Sequence, residues 1–436
     1  MKGGTVPYGT DLPDGWGTSP LKYLASLTNG YVFNSQDWKE HGTPIIRIEN
    51  LNGSRDFNYS DSELGANHRI TKGDLLFSWS GNPGTSFGPF RWALPGDFYL
   101  NQHIFKVDAF GCDKDWLFWA LKAATHWIER ELTSGMIGMV HVTKEDLKSV
   151  PIPIPPLEEQ RRLAKFLDAE TARIDQTADL QKAARAALLE RRATAVFGAV
   201  TGTSFQDRVP STLAWVRTLP AHWYGIKLGH VARIGSGHTP SRSKPEWWED
   251  CTIPWITTGE VSQVRDDRRE FLNETRERIS ELGMANSSAE LHPKGTVVLC
   301  RTASAGYSAV MGQDMATSQD FVAWTCGPRL DPLYLLWCLR AMRSDLLGRL
   351  AMGSTHKTIY VPDLQMLRIP LPPIQEQQQI VKSIRAANTA VDDAVDVIDH
   401  QLYLLAERRQ ALITAAVTGQ FDVTSASRPI PSGGIA

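Results

Sequence analysis

The sequence is short of most of what a metalloenzyme, a motor or a membrane protein requires. Its five cysteines, Cys112, Cys251, Cys300, Cys326 and Cys338, stand far apart, with no Cys-x-x-Cys spacing and no accompanying histidine pair. They read as packing residues of a reducing compartment, which sets aside zinc sites and a disulfide framework. No apolar run approaches a membrane span, and the opening MKGGTVPYGTDLPDGW lacks an apolar core of signal-peptide length, so a cytoplasmic protein with no membrane contact is expected. No Gly-x-x-x-x-Gly-Lys-Ser/Thr loop is present to hold a nucleoside triphosphate. Excess basic charge is missing as well: the net charge is −2, residues 1–150 carry 14 basic and 17 acidic side chains, and residues 203–370 carry 19 and 17. A binder of polyanions with no sequence preference would be basic, so any nucleic-acid contact here must rest on local patches and on partner proteins.

What the chain does contain, it contains twice. The stretch from Pro151 to Gly202 returns from Arg368 to Gly419 without a gap at an offset of 217 residues. Under that shift Pro155-Pro156 falls on Pro372-Pro373, Glu159-Gln160 on Glu376-Gln377, Asp175 on Asp392, Glu190-Arg191-Arg192 on Glu407-Arg408-Arg409, and Val200-Thr201-Gly202 on Val417-Thr418-Gly419. Each copy reads as one long helix, opened by prolines and closed by a Thr-Gly pair that can take φ > 0. About 44 helical residues make an arm near 65 Å long, at about 1.5 Å of rise per residue. In the second arm apolar residues recur every seven positions, at Ile384, Val391, Ile398, Leu405 and Leu412, with Val395 and Leu402 widening the stripe. The first arm keeps the register at Leu167, Ile174, Leu188 and Ala195, but Gln181 lies on its seam and Ala183, Ala184, Ala186 and Ala187 thin it. Both are coiled-coil seams that need a partner, and an antiparallel pairing of the two arms supplies one.

The regions before the arms repeat more loosely. Leu12-Pro13 and Trp16 return as Leu219-Pro220 and Trp223, and the run Thr43 to Arg47 as Thr252 to Thr257. Lys72-Gly73 before a strand returns as Lys294-Gly295, Asn101-Gln102-His103 as Ser318-Gln319-Asp320, and Asp146-Leu147 as Asp363-Leu364. Short helices are expected at Trp116 to Leu132 and at Pro332 to Leu347, the latter capped by Asp331. The fold class expected is α+β: two mixed domains, 1–150 and 203–370, separated by long antiparallel coiled-coil helices at 151–202 and 371–420, with a disordered tail at 421–436.

The run Leu219 to Val261 and the helix start Arg368 to Val381, with VPIPIPPLEEQ in the first half, resemble the specificity subunit of type I restriction-modification systems over nearly the whole chain. The resemblance implies a protein without catalysis of its own, whose two domains each read one half of a split sequence in double-stranded DNA. It implies that the arms fix the spacing and dock two methyltransferase subunits, and that two motor-nuclease subunits join them. S-adenosylmethionine, ATP and Mg are then expected on the partners, with no cofactor and no metal on this chain. Without those partners the alternative is a coiled-coil scaffold or another DNA-binding protein. The nearest match to a methyltransferase motif, Asp331-Pro332-Leu333-Tyr334, opens an apolar helix where capping explains it. Asp363 and Glu376 resemble a nuclease pair, but Gln378 stands where a lysine is needed.

Readout then falls to polar residues at strand ends and loops, because arginine bonds bidentately to guanine and asparagine or glutamine to adenine. The candidates in the first domain are Arg47, Asn50, Ser78, Ser80, Asn82, Asn101, Gln102 and His103. In the second they are Ser241, Arg242, Lys244, Thr257, Thr258, Arg301, Ser304, Tyr307, Gln319 and Lys357. Candidates for partner docking are Glu159, Gln160, Glu190, Arg191 and Arg192, with Glu376, Gln377, Glu407, Arg408 and Arg409. Trp247-Trp248 is expected to pack rather than to stack on bases.

Overall fold

A computed structural model of the protein describes residues 12–132, 139–353 and 357–420; the tail expected at 421–436 lies outside them. The chain divides into two compact units, one of residues 1–180 with 401–436 and one of residues 181–400. Each unit therefore holds a domain, the start of one arm and the end of the other.

In the first unit an antiparallel sheet runs in the order Ala25–Asn29, Ile104–Ala109, Leu75–Ser78, Gly88–Arg91. A second sheet pairs Thr43–Ile46 with Asn58–Ser60 on one side and, in parallel, with Phe98–Leu100 on the other, which in turn meets Arg69–Ile70. The second unit repeats the plan. Ala232–Ser236, Phe321–Cys326, Val297–Cys300 and Ser308–Met311 form the first sheet, with Phe271–Leu272 added at its edge. Its second sheet centres on Ile253–Ile256, again parallel to its partner Ala316–Thr317. The landmark residues of the two halves thus occupy matching strands and turns, and Gly73 and Gly295 both take positive φ at the turn before a core strand.

The helix Lys114–Leu132 packs on the first sheet of its unit, as Pro332–Ala341 does in the other. Both are capped alike: Asp113 Oδ1 accepts the backbone N–H groups of Asp115 and Trp116, and Asp331 Oδ1 those of Leu333 and Tyr334. Pro332–Ala341 ends earlier than expected, because the chain re-enters as a separate turn at Arg343–Asp345. Four cysteines are packing groups, Cys300 and Cys338 buried and Cys112 and Cys326 half-buried: desolvation pushes all four thiols up to about 12.

The arms are single helices, Leu157–Thr201 and Ile374–Val417. A proline-containing strand sets each one up: Pro151–Ile154 pairs with Gly17–Pro20, and Arg368–Leu371 with Tyr224–Lys227. The side chain of a glutamine then fixes the first turn. Gln160 accepts the N–H of Asp113 at 2.8 Å and donates to the carbonyl of Pro155 at 2.8 Å. Gln377 does the same with Asp331 at 2.9 Å and Pro372 at 2.9 Å, and also donates to Arg329. At the far end Gly202 and Gly419 take φ of +63° and +71°. A Cβ on Gly202 would lie 2.5 Å from Pro220, and one on Gly419 2.3 Å from Pro13. The repeated Leu-Pro and Trp landmarks are therefore the seats on which arms end, Pro220 and Trp223 in one unit and Pro13 and Trp16 in the other.

The seam differs in detail from strict heptads. Ala195 is exposed and Leu412 half-buried, while Val196 and Ile413 are buried. A helix of 3.6 residues per turn drifts by about 20° per heptad, so the stripe moves one residue onward towards the end of each arm. There it meets a domain core instead of a helix: Ile413, Ala416 and Val417 join Trp116, Leu121, Leu163 and Leu167, and Val196 and Val200 join Tyr334, Leu335, Val381 and Ile384.

Replacing Gln377 by alanine would strand a buried N–H and two carbonyls. We expect Gln377→Ala to lower unfolding stability by about 2–4 kcal/mol in urea titration, whereas an exposed neighbour such as Gln378→Ala should change it by less than about 0.5 kcal/mol.

Candidate nucleic-acid interface

In the second unit the polar candidates gather where strands of both sheets end. Thr257 follows Ile253–Ile256, Arg301 follows Val297–Cys300, and Ser318 and Gln319 follow Ala316–Thr317. Thr239 Oγ1 donates to Gln319 Oε1 at 2.5 Å, and Arg301 Nε donates to the Gln319 carbonyl at 2.8 Å. The Asp320 carboxylate is taken by the hydroxyls of Thr302 and Ser318. Ser304 lies in the turn beyond Arg301, next to Ala303 at φ +54°. Tyr307 closes that hairpin and lies under the guanidinium groups of Arg343 and Arg265, 4.4 and 5.6 Å from its ring centre. Lys357 is exposed, with Nζ 3.4 Å from the Leu347 carbonyl.

A second group stands on the smaller sheet of this unit. Arg242 stacks 4.7 Å over Trp248 and pairs with Glu277 at 3.2 Å; Trp248 Nε1 donates to the Ser241 carbonyl, and Ser241 shares a hydroxyl bond with Ser243. Trp248 packs on Trp255, so the expected packing role holds for it, and Lys244 stays exposed beside them. Thr258 is half-buried at the start of the turn Thr258–Gln263.

The first unit presents a less charged face. Arg47 donates to Asn58 Oδ1 at 2.5 Å, lies 3.3 Å from Glu49 and stacks over Trp38. Trp79 lies between the rings of His103 and His141, at 5.3 and 4.6 Å. Gln102 Nε2 is 3.3 Å from His103 Nε2, and Asn101 Oδ1 accepts the N–H of His103. Asn82 is exposed, while its carbonyl holds the turn to Ser86 and Phe87.

Several candidates are committed internally. Asn50 is buried, accepting from Arg47 N and donating to the carbonyls of Ser54 and Asp56. Ser78 is fully buried and donates to the Ser80 carbonyl, and Ser80 is buried against Met139. These are turn-holding groups, as is the fully buried Glu260, which stands in the place of Asn50 and accepts from Arg276 N and Gln263 Nε2. Trp79, His141 and Glu260 were not singled out from sequence, since a tryptophan beside a core strand reads as core and a glutamate in a loop as solvated.

The docking candidates divide in the same way. Gln160 and Gln377 are buried and spent on the arm starts. Glu376 accepts from Trp223 Nε1 at 2.9 Å and faces His222, whereas Glu159 lies 3.8 Å from Arg162. Glu190, Arg191, Glu407 and Arg408 are exposed. Arg192 instead pairs with Asp392 at 2.8 Å in one unit, and Arg409 with Asp175 at 2.9 Å in the other. The repeat carries Asp175 onto Asp392 and Arg192 onto Arg409, so the two rungs are one interaction with its ends exchanged. From Arg185–Asp399 to Arg192–Asp392 the numbers rise on one arm and fall on the other, which makes the pairing antiparallel.

Beside each rung stands a domain cation drawn towards the core, Arg340 buried and Lys122 half-buried. Arg340, lowered to about 10 by burial, donates to the carbonyls of Asp267 and Arg269, and Arg343 grips the Asp267 carboxylate at 2.7 and 2.8 Å. Lys122 occupies the matching place in the other unit, held down to about 8 by burial and by Arg409, against the pull of Glu129.

The class so defined is a duplicated α+β domain carried on an antiparallel pair of long helices. Residues 13–187 and 220–390 match the type I restriction modification DNA specificity domain, and the chain belongs to that family. The EcoBI type I restriction enzyme specificity subunit of Escherichia coli is 20% identical over 94% of this chain and 87% of its own. The putative MjaX specificity subunit of Methanocaldococcus jannaschii is 20% identical over 95% of each chain. A solved chain from work on the assembly and conformational transition of a type I R-M system shares the fold, with a TM-score of 0.69 at 19% identity over 94% of this chain and 100% of that one.

The Arg192–Asp392 rung is testable by a double-mutant cycle. Arg192→Ala and Asp392→Ala should each destabilise the second unit by about 2–4 kcal/mol, and the double variant by about 1–3 kcal/mol less than their sum, read from urea denaturation. Strict additivity would mean that the pair does not interact.

Proposed function

We propose that this chain is the DNA sequence-recognition subunit of a type I restriction-modification complex. Each domain reads one half of a bipartite target in double-stranded DNA, and the paired arms set the spacing between the halves. The arms also dock two methyltransferase subunits through exposed groups such as Glu190, Arg191, Glu407 and Arg408, and two motor-nuclease subunits complete the assembly. The chain contributes recognition and scaffolding; S-adenosylmethionine, ATP and Mg act on the partner subunits. A cytoplasmic location follows from that role, and no helix among the described residues is long and apolar enough to cross a membrane.

The observation that carries the reading is the duplicated scaffold with different side chains at the same strand ends. Two copies of one framework keep their caps, turns and arm seats, while the polar ends differ: Trp79 and His103 in one copy stand where Arg301 and Asp320 stand in the other. A shared framework with divergent loops is what two readers of different half-sites need.

Exchange of residues 1–150 for the equivalent region of a relative, in cells that also hold the partner subunits, tests this. Single-molecule sequencing of methylated DNA should show one half of the target changed and the other retained. A change in both halves together, or methylation by this chain alone, would contradict the proposal.

A further inference from the structure

Three hydrogen bonds place Trp79 and Arg301 at the same point of the repeated domain. Trp79 N donates to the His103 carbonyl, its own carbonyl accepts from Val142 N, and its indole Nε1 donates to the Gln102 carbonyl at 3.0 Å. Arg301 N donates to the Asp320 carbonyl, its carbonyl accepts from Ile359 N, and its Nε donates to the Gln319 carbonyl at 2.8 Å. Both side chains are thus tethered by one N–H to the carbonyl of a matching glutamine, at the strand end where the polar candidates gather.

The two side chains differ in what the tether leaves over. Indole has one donor, and the Gln102 carbonyl uses it. Guanidinium has five donors in a rigid plane, and fixing Nε leaves both terminal nitrogens at the outer edge. Among the described residues Arg301 has no carboxylate within ion-pair distance and no further side-chain hydrogen bond, because the adjacent Asp320 is already held by Thr302 and Ser318. Such a fork, half-exposed and oriented in advance, matches the O6 and N7 acceptors of guanine in a major groove.

We infer that Arg301 reads a guanine in the half-site of the second domain, and that the first domain, with Trp79 in that place, makes no such contact. The inference rests on the reading of this chain as a DNA-recognition subunit. It differs from a phosphate contact, which would carry no base preference.

The test uses the full chain assembled with its methyltransferase partners. Arg301→Gln should cut discrimination at one guanine·cytosine pair in one half of the target by about tenfold to a hundredfold, with the other half unchanged. Arg301→Lys, which keeps the charge without the fork or the tether to Gln319, should lose part of that discrimination. For the unaltered protein, 7-deazaguanine placed singly at each guanine of that half should weaken binding about tenfold or more at one position, which keeps the inference refutable even if the variants do not fold. Equal weakening on all sequences, or indifference to every 7-deazaguanine, would overturn the inference while leaving the bipartite target intact. Absence of any bipartite methylated sequence with the unaltered protein would overturn the underlying reading instead.

Discussion

The two long helices depend on burial at both ends. Their middle stretches are thinly apolar: Ala178, Gln181 and Arg185 of the first arm are half-buried, and the positions between them are exposed. Pairing along such a seam contributes little apolar area, at roughly 25 cal/mol per Å² buried. The ends are different. Leu163, Leu167, Ile413 and Val417 are buried in one domain core, and Val196, Val200, Val381 and Ile384 in the other. Each unit therefore needs the first turns of the arm that follows its domain and the last turns of the arm from the other half of the sequence. Charged rungs then fix register: an antiparallel pair with a thin seam slides easily, and the exchanged Arg–Asp pairs penalise a slip by leaving a carboxylate unpaired.

Much of this was legible in the sequence because the repeat reports on it directly. An offset of 217 residues without a gap marks both helices, their proline entries and their glycine exits, since each of those features has a local cause. Long-range partners were not legible. Nothing in Leu12-Pro13 or Trp16 announces that Gly419 will close on them, because that contact joins distant residues with no shared periodicity. Glu190-Arg191-Arg192 illustrates the same limit: repetition shows that the triplet matters, and only the structure separates the two exposed members from the arginine that turns inward to Asp392. The recognition faces were the least legible part. Polar type and strand-end position selected Asn50, Ser78 and Ser80, whose bonds are spent inside the domain, and passed over Trp79, which shares its place with Arg301.

The two domains also differ in how they meet their arm segments. The second carries an added edge strand, Phe271–Leu272, and the loop before it supplies Asp267 to Arg340 and Arg343, Arg268 to Asp392 and Asp396, and Glu270 to Arg385 and Trp337. Asp267 takes φ +60°, a conformation that the three arginines around its carbonyl and carboxylate hold in place. In the first unit the corresponding sheet edge is Gly88–Arg91, where Arg91 stacks on Phe118 and bridges Asp115 and Asp168. One framework thus tolerates two solutions for its junction with the arms, as it tolerates two for its strand ends.

If each domain is completed by the far end of the other half's arm, removing residues 401–436 should damage the first domain and spare the second. Hydrogen exchange on the chain ended after His400 measures this segment by segment. Protection should be lost in Trp116–Ile128 and Leu163–Leu167, with Val297–Cys300 and Phe321–Cys326 still protected. Unchanged protection of the first domain, or loss confined to the second, would contradict it.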